Sequence, residues 1–348
     1  MQPFDIASTP EAGGLSSRAL LDYLDALAAS GIEQHSVMVV KDGCLAANIH
    51  FAPHTQRTPH ICHSMSKPFT SVAAGFAVAE GLLRYDDRVL DVLSDKAPQS
   101  PDPRLARVTL HHLLCMGSGL RQCSDNLEHI FRPEPGDGTD WARDVLACGC
   151  DVEPGSLFRY NSHGSYLISC MVQKATGQTL RDYLMPRLFT PLGIPEPRWD
   201  KSPQGICCGG WGLYLSCEDF ARFGVCLLQG GMWNGVQVIP PQWLALATQV
   251  HIRTDSVPRS PEWAQGYGYH LWRCTGNRFR GDGTGGQFLI VAPEQNMVLA
   301  ATADTENLAG EFDLFNEYIF NPARQTPASP GEQQAYLKRV AALGANKA

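Results

Sequence analysis

The sequence predicts an α+β fold in which one antiparallel sheet, built from the N- and C-terminal segments and flanked by helices, carries an inserted helical subdomain. Three observations lead there. Strand-like runs bounded by turn signals lie near the start, at residues 36–49, and return only after residue 267. The intervening stretch, residues 64–205, is mostly helical in pattern, with many prolines in its loops. That stretch opens with Phe69, Val72, Ala73, Phe76, Ala77 and Val78, apolar almost all round, as a helix buried in a domain interior must be.

Ser16 or Ser17 is placed to cap a first helix, with Leu20, Leu21, Leu24, Leu27 and Ala28 on one face and Gly31 at its end. Asp42-Gly43 joins the runs Ser36–Lys41 and Cys44–Ile49, a strong hairpin signal. Pro68 suits the first turn of the buried helix, because its missing N–H would lack a partner there anyway, and Gly81 suits its end. A further helix is expected over Tyr166–Ala175. Strands are expected at Tyr267–Cys274, Arg278–Gly281, Gln287–Ala292 and Met297–Ala303, followed by a helix over Gly310–Phe320. The expected division is a sheet domain of residues 1–60 and 206–322, a helical subdomain of residues 61–205, and a polar, peripheral C-terminal tail of residues 323–348.

Of the 348 residues 44% are hydrophobic and 18% charged, ordinary values for a globular protein. A formal net charge of −7 argues against a nucleic-acid partner, and no apolar run is long enough for a membrane span. The N-terminus lacks the basic start and apolar core of a signal peptide, and the 12 cysteines resemble reduced thiols more than a disulfide frame. The expected location is therefore cytoplasmic.

The chemistry concentrates at Ser64 and Lys67, three residues apart and so on one helical face, at the mouth of the buried helix. Desolvation lowers a lysine's proton affinity and suits it to act as a base, while N–H groups at a helix start face charge developing on the serine side. Tyr160 follows the Pro154-Gly155 turn, and beside an ammonium its phenol can relay protons. The run Gly281-Asp-Gly-Thr-Gly-Gly-Gln287 lets a backbone approach a ligand closely. Ser124-Asp125-Asn126 is a competing serine element, and Arg280-Gly281-Asp282 spells an adhesion tripeptide that is read as chance. His50, His54, His60, His63 and the pair His111-His112 lack the His-Glu-x-x-His spacing of a zinc protease, and Cys148, Cys150, Cys207 and Cys208 lack zinc-site spacing. No metal and no organic cofactor is expected.

Taken together, these segments resemble the serine β-lactamase and penicillin-binding-protein superfamily, in its class C and esterase branch, which includes nylon-oligomer hydrolases and D-aminopeptidases. The resemblance runs in order through Ser64-Met-Ser-Lys67, Tyr85-Asp-Asp-Arg-Val89, Leu113-Leu-Cys-Met-Gly-Ser-Gly-Leu120, Glu153-Pro-Gly-Ser-Leu-Phe-Arg-Tyr-Asn-Ser162, Gly209-Gly-Trp-Gly-Leu213 and Gly283-Thr-Gly-Gly-Gln287. It implies a β-lactamase/transpeptidase-like fold and a serine hydrolase. In that reading Ser64 is the nucleophile, Lys67 its base and Tyr160 the proton relay. The main-chain N–H groups of Ser64 and Thr284 form the oxyanion hole, within one or two residues of register. Ser162, hydrogen-bonded to Lys67 or to substrate, supports the site together with Gly283, Gly285 and Gln287.

Two departures bear on the substrate. The usual Tyr-x-Asn is Tyr160-Asn161-Ser162, and no Lys or His stands where lactamases hold the substrate carboxylate. A small-molecule ester or amide is therefore favoured over a β-lactam, with Arg280 the only cation near that loop. A true β-lactamase, a penicillin-binding-type covalent binder or sensor that acylates without turnover, and an inert scaffold are the other readings.

Overall fold

The computed structural model describes residues 4–121, 139–257 and 260–345. Ser124 lies outside them. The principal strands are β1 (Asp5–Ile6), β2 (Glu33–Lys41), β3 (Cys44–His50), β4 (Phe279–Gly283), β5 (Gln287–Ala292) and β6 (Met297–Asp304). The principal helices are α1 (Ser17–Ser30), α2 (Lys67–Ala79), α3 (Ser162–Thr176), α4 (Cys217–Leu228), α5 (Leu308–Phe315) and α6 (Pro330–Gly344).

The chain divides into two compact units. The first comprises Met1–Ile61, Leu215–Gln229 and Gly276–Ala348. Its principal strands run in the order β1-β3-β2-β6-β5-β4, antiparallel except where β1 joins β3. Asp42 (φ 51°) and Gly43 (φ 81°) both take the left-handed region that a two-residue hairpin turn needs, and Lys41 pairs with Cys44 across it. β6, from near the C-terminus, pairs with β2, placing Val39 opposite Leu299.

Adjacent residues of β5 show how the sheet is covered. Successive side chains on a strand point to opposite faces. Phe288 packs against Phe312 and Phe315 of α5, with ring centroids 5.6 Å and 6.0 Å away. Leu289 instead meets α4 at Gly224, where an added methyl would lie 2.5 Å from its Cδ1. Helices thus lie on both faces, which is why β5, most of β6 and Val37–Val40 of β2 are apolar.

The second unit comprises Cys62–Tyr214 and Gly230–Thr275. At its centre α2, buried from Lys67 to Ala77, packs against α3 and the helix Pro241–Ala247.

Three expectations are corrected. Residues 230–275 cluster with the helical unit, not the sheet, because their contacts run to α2 and to the segment before α3 rather than following their place in the sequence. Within Tyr267–Cys274 only Trp272–Arg273 is strand; Tyr269 donates its N–H to Ala247, and His270 sits at φ 58°. The polar tail contains α6, which opens with a Ser329/Glu332 capping box, packs on α1 and buries Tyr336. Its polar composition concealed this one buried side chain. Among the described residues no helix is long and apolar enough to cross a membrane.

Gly75 provides a test of packing beneath α2. A methyl there would fall 2.4 Å from Cγ and Cδ1 of Trp243, which is buried and donates through its indole N–H to Ser71 Oγ. Alanine gains about 1 kcal/mol of helix propensity over glycine. That is outweighed by overpacking against a fixed ring, so Gly75→Ala is expected to lose roughly 1–3 kcal/mol, measured by urea unfolding.

Candidate active site

Ser64 lies on the short 3₁₀ turn His63–Ser66, immediately before α2. The sequence suggested an α-helical face; in a 3₁₀ turn side chains i and i+3 eclipse, which brings the same pair together more tightly. Lys67 Nζ is 2.9 Å from Ser64 Oγ. Several bonds fix the turn. Ser66 Oγ donates to His63 O at 2.7 Å and accepts the Leu213 N–H at 3.2 Å, while the Cys62 N–H reaches Leu213 O at 2.7 Å. His63 sits at φ 46°, a left-handed conformation disfavoured for a side-chain-bearing residue. The strain lies directly before the half-buried serine.

Lys67 is 1% exposed. A buried ammonium must recover its lost hydration from nearby oxygens and π faces. Its Nζ also lies 2.9 Å from Gly210 O and 4.6 Å from the ring centroid of Tyr160. The Gly210 carbonyl can stand there because the segment hugs α3: methyls on Gly209 and Gly210 would lie 2.7 Å from Ser165 O and Ser162 O respectively. Gly209 O accepts from Thr70 Oγ1 of α2 at 2.7 Å, so the two glycines tie α2 to α3. Sequence reasoning quoted the Gly209-Gly210 pair without giving it a role; adjacent glycines next to a conformationally constrained segment were the available signal.

Tyr160 is half-buried, its ring stacked on Trp272 at 5.9 Å and 11° and edge-on to Tyr267 at 6.3 Å. Met116 holds the tyrosine's neighbours: its carbonyl accepts the Arg159 N–H at 2.9 Å and its sulfur accepts the Asn161 N–H at 3.3 Å. Asn161 then caps α3, its Oδ1 accepting the N–H groups of His163 and Gly164. Asn161 is 4% exposed, and its Nδ2 finds no acceptor among the described residues. The expected Tyr-x-Asn was missing, yet an amide donor stands directly after the tyrosine, a residue sequence reasoning passed over.

His270 was missed as well. Its Nδ1 must carry the proton, since it faces Leu114 O at 2.9 Å, which leaves Nε2 to accept from Ser165 Oγ at 2.9 Å. Burial, reinforced by the positive charge of Lys67, pulls its pKa down to about 3. The imidazole beside the lysine is therefore neutral.

The structure brings Ser64, Lys67, Tyr160 and Ser162 together in the second unit; Ser162 opens α3 behind Gly210. Gly283, Thr284, Gly285 and Gln287 belong to the first unit, where Gly283 pairs with Gln287 across the β4–β5 turn. Thr284 is exposed at its tip. Gln287 is buried and braces the turn, donating from Nε2 to Gly285 O at 3.0 Å and Ala303 O at 2.7 Å. Arg280 is fully buried, 3.0 Å from Asp282, and its guanidinium lies over the Phe312 ring. It cannot serve as an exposed carboxylate anchor, nor can Arg280-Gly281-Asp282 present itself as an adhesion signal.

A beta-lactamase family model matches residues 22–322. The chain belongs to the beta-lactamase family. Penicillin-binding protein 4 of Amycolatopsis lactamdurans is 30% identical over 298 residues, 74% of this chain and 75% of that one. Among solved structures, the chain is similar to EstCE1, a hydrolase with promiscuous acyltransferase activity, at a TM-score of 0.70 and 17% identity over 87% of this chain and 97% of that one. A D-stereospecific amidohydrolase from Streptomyces sp. aligns at 0.66 with 20% identity, covering 87% and 98% of the two chains. Membership places this beta-lactamase-family protein among hydrolases and penicillin-binding proteins, on a β-lactamase/transpeptidase-like fold.

A neutral His270 has a measurable consequence. Its folded pKa lies below the unfolded value of about 6.5, so the stability tied to the neutral form is complete above that value and is lost as pH falls toward 3. At 1.36 kcal/mol per unit, this group removes roughly 2 kcal/mol between neutrality and pH 5. In His270→Gln the decline of unfolding free energy over that interval, followed by urea titration, is expected to be shallower by about that amount.

Proposed function

We propose that this protein is a serine hydrolase that cleaves a small, uncharged ester or amide through an acyl-enzyme on Ser64. The 2.9 Å contact between Lys67 Nζ and Ser64 Oγ carries the reading. Lys67, once its ammonium has given a proton to solvent, takes the hydroxyl proton as Oγ attacks the substrate carbonyl. The developing oxyanion is met by the Ser64 N–H, which lies in a first turn whose N–H groups have no intrahelical acceptor. Tyr160, its ring against the Lys67 ammonium, passes the proton to the leaving group. Lys67 and Tyr160 then deprotonate the water that attacks the acyl carbonyl, releasing the acid and restoring Ser64–OH. The Asn161 amide donor suits a substrate carbonyl. The aromatic wall of Tyr160, Trp272, Tyr267 and Phe158 suits an apolar group.

Removing the nucleophile tests the core of this reading. Ser64→Ala is expected to abolish turnover and fluorophosphonate labelling with unfolding unchanged; mapping the adduct to any other residue refutes the assignment. Tyr160→Phe deletes one hydroxyl and is expected to lower kcat about 10²–10⁴-fold, the usual loss for a general acid–base group.

Substrate charge provides a second test. An unpaired anion in a desolvated site is costly, and Arg280 is buried against Asp282. The kcat/KM for p-nitrophenyl esters or neutral amides is expected to exceed that for a chromogenic cephalosporin. Equal or higher values for the cephalosporin would overturn the preference.

A further inference from the structure

Three histidines in the first unit converge, although the chain separates them and none carries a role in the hydrolase site. His35 is the third residue of β2 and 8% exposed. His54 and His60 lie on the segment that follows β3, anchored at its start by the Phe51 N–H to His35 O at 3.0 Å. One ring nitrogen from each histidine lies within 4.8 Å of the other two. The rings of His35 and His54 stack at 3.9 Å, and those of His54 and His60 are 5.3 Å apart.

We infer that His35, His54 and His60 form a binding site for a divalent transition-metal ion, zinc by preference, with three imidazole ligands. Three neutral imidazoles are a donor set that suits zinc, copper, nickel and cobalt and is poor for magnesium or calcium.

One hydrogen bond and one nearby carboxylate stand behind two of the rings as a bound ion requires. His60 Nδ1 faces Thr58 O at 2.8 Å; a carbonyl only accepts, so Nδ1 carries the proton and Nε2 offers its lone pair. That lone pair lies 2.9 Å from His35 Nδ1. Without an ion, His35 must donate from Nδ1, which turns the lone pair of its Nε2 toward the Glu33 carboxylate 3.6 Å away. An ion between the two rings replaces that shared proton. The His35 proton moves to Nε2, where Glu33 accepts it, and the ring stays neutral. A carboxylate behind one ligand and a backbone carbonyl behind another are the usual outer partners of metal-bound histidines. A tetrahedral site with Zn–N of roughly 2.0–2.1 Å needs nitrogens about 3.3 Å apart, so the His35–His60 contact need open by only a few tenths of an ångström.

His35 and His54 also line a 320 Å³ cavity whose walls include Leu24, Leu27, Phe51 and Pro53, with Arg339 at its edge. A fourth coordination position open to that space would hold water or a small anion. The sequence concealed the group because His35 lies 19 residues before His54 (54 − 35), with a complete hairpin between them.

Calorimetric titration of the chelator-treated full-length chain with zinc tests the site. One ion per chain is expected, with His54→Gln and His60→Gln each weakening affinity at least about 10-fold and Glu33→Gln weakening it by a similar factor. His54 is partly exposed, so its substitution leaves the core intact. In the wild-type protein, where no variant has to fold, zinc should shift the imidazole NMR signals of these three histidines together. Absence of saturable one-to-one binding, zinc affinity unchanged in the His54→Gln/His60→Gln double variant, or shifts confined to other histidines would each overturn the assignment.

Discussion

One buried ammonium organises the helical unit. Lys67 is placed where water cannot reach it, and three groups replace its hydration: Ser64 Oγ, the Gly210 carbonyl and the face of Tyr160. Each comes from a different stretch of chain, so satisfying one charge fixes the start of α2, the glycine segment beside α3 and the loop before α3. The same contacts hold Ser64 and the ring of Tyr160 on one lysine. Stability and chemistry here are one constraint.

Several neighbours act against local preference and are tolerated because of it. His63 holds a left-handed backbone angle beside Ser64, and His270 is kept neutral next to a cation. Both cost stability, and both are held by surrounding bonds: Ser66 on one side, Leu114 and Ser165 on the other. Such strain collects where a reactive group must be presented in one geometry. Gly209 and Gly210 serve the same end, since any side chain there would separate α3 from the carbonyls that α2 needs.

The sheet unit is organised by apolar burial rather than by charge. Phe288 and Leu289 address opposite helical layers, so both faces of β5 are covered by apolar side chains. Arg280, fully buried there, is matched by Asp282 and covered by the Phe312 ring, which makes it part of the packing. On the opposite side of the sheet order, the segment after β3 brings two imidazoles, His54 and His60, to His35 of β2, a grouping independent of the serine site.

Local periodicity determined α1, the β2–β3 hairpin, α2 and the late strands, because each depends on side-chain pattern and turn residues close together in the chain. The pairing of Ser64 with Lys67 was legible for the same reason: three residues of separation fix their proximity in any helical turn. What the sequence could not determine is what comes from afar. Gly210 stands 143 residues from Lys67, and His270 105 residues from Ser165. Tyr160 carried its own family signature, but the ammonium against its ring exists only once α2 and the loop meet. Residues 230–275 cluster with the helical unit rather than the sheet, and the polar, peripheral tail packs on α1 as α6, because burial is settled by the partner surface and not by composition. Sequence by itself determined the chemistry available; tertiary packing decided which groups share a charge, since desolvation and close approach are properties of neighbours that only folding supplies.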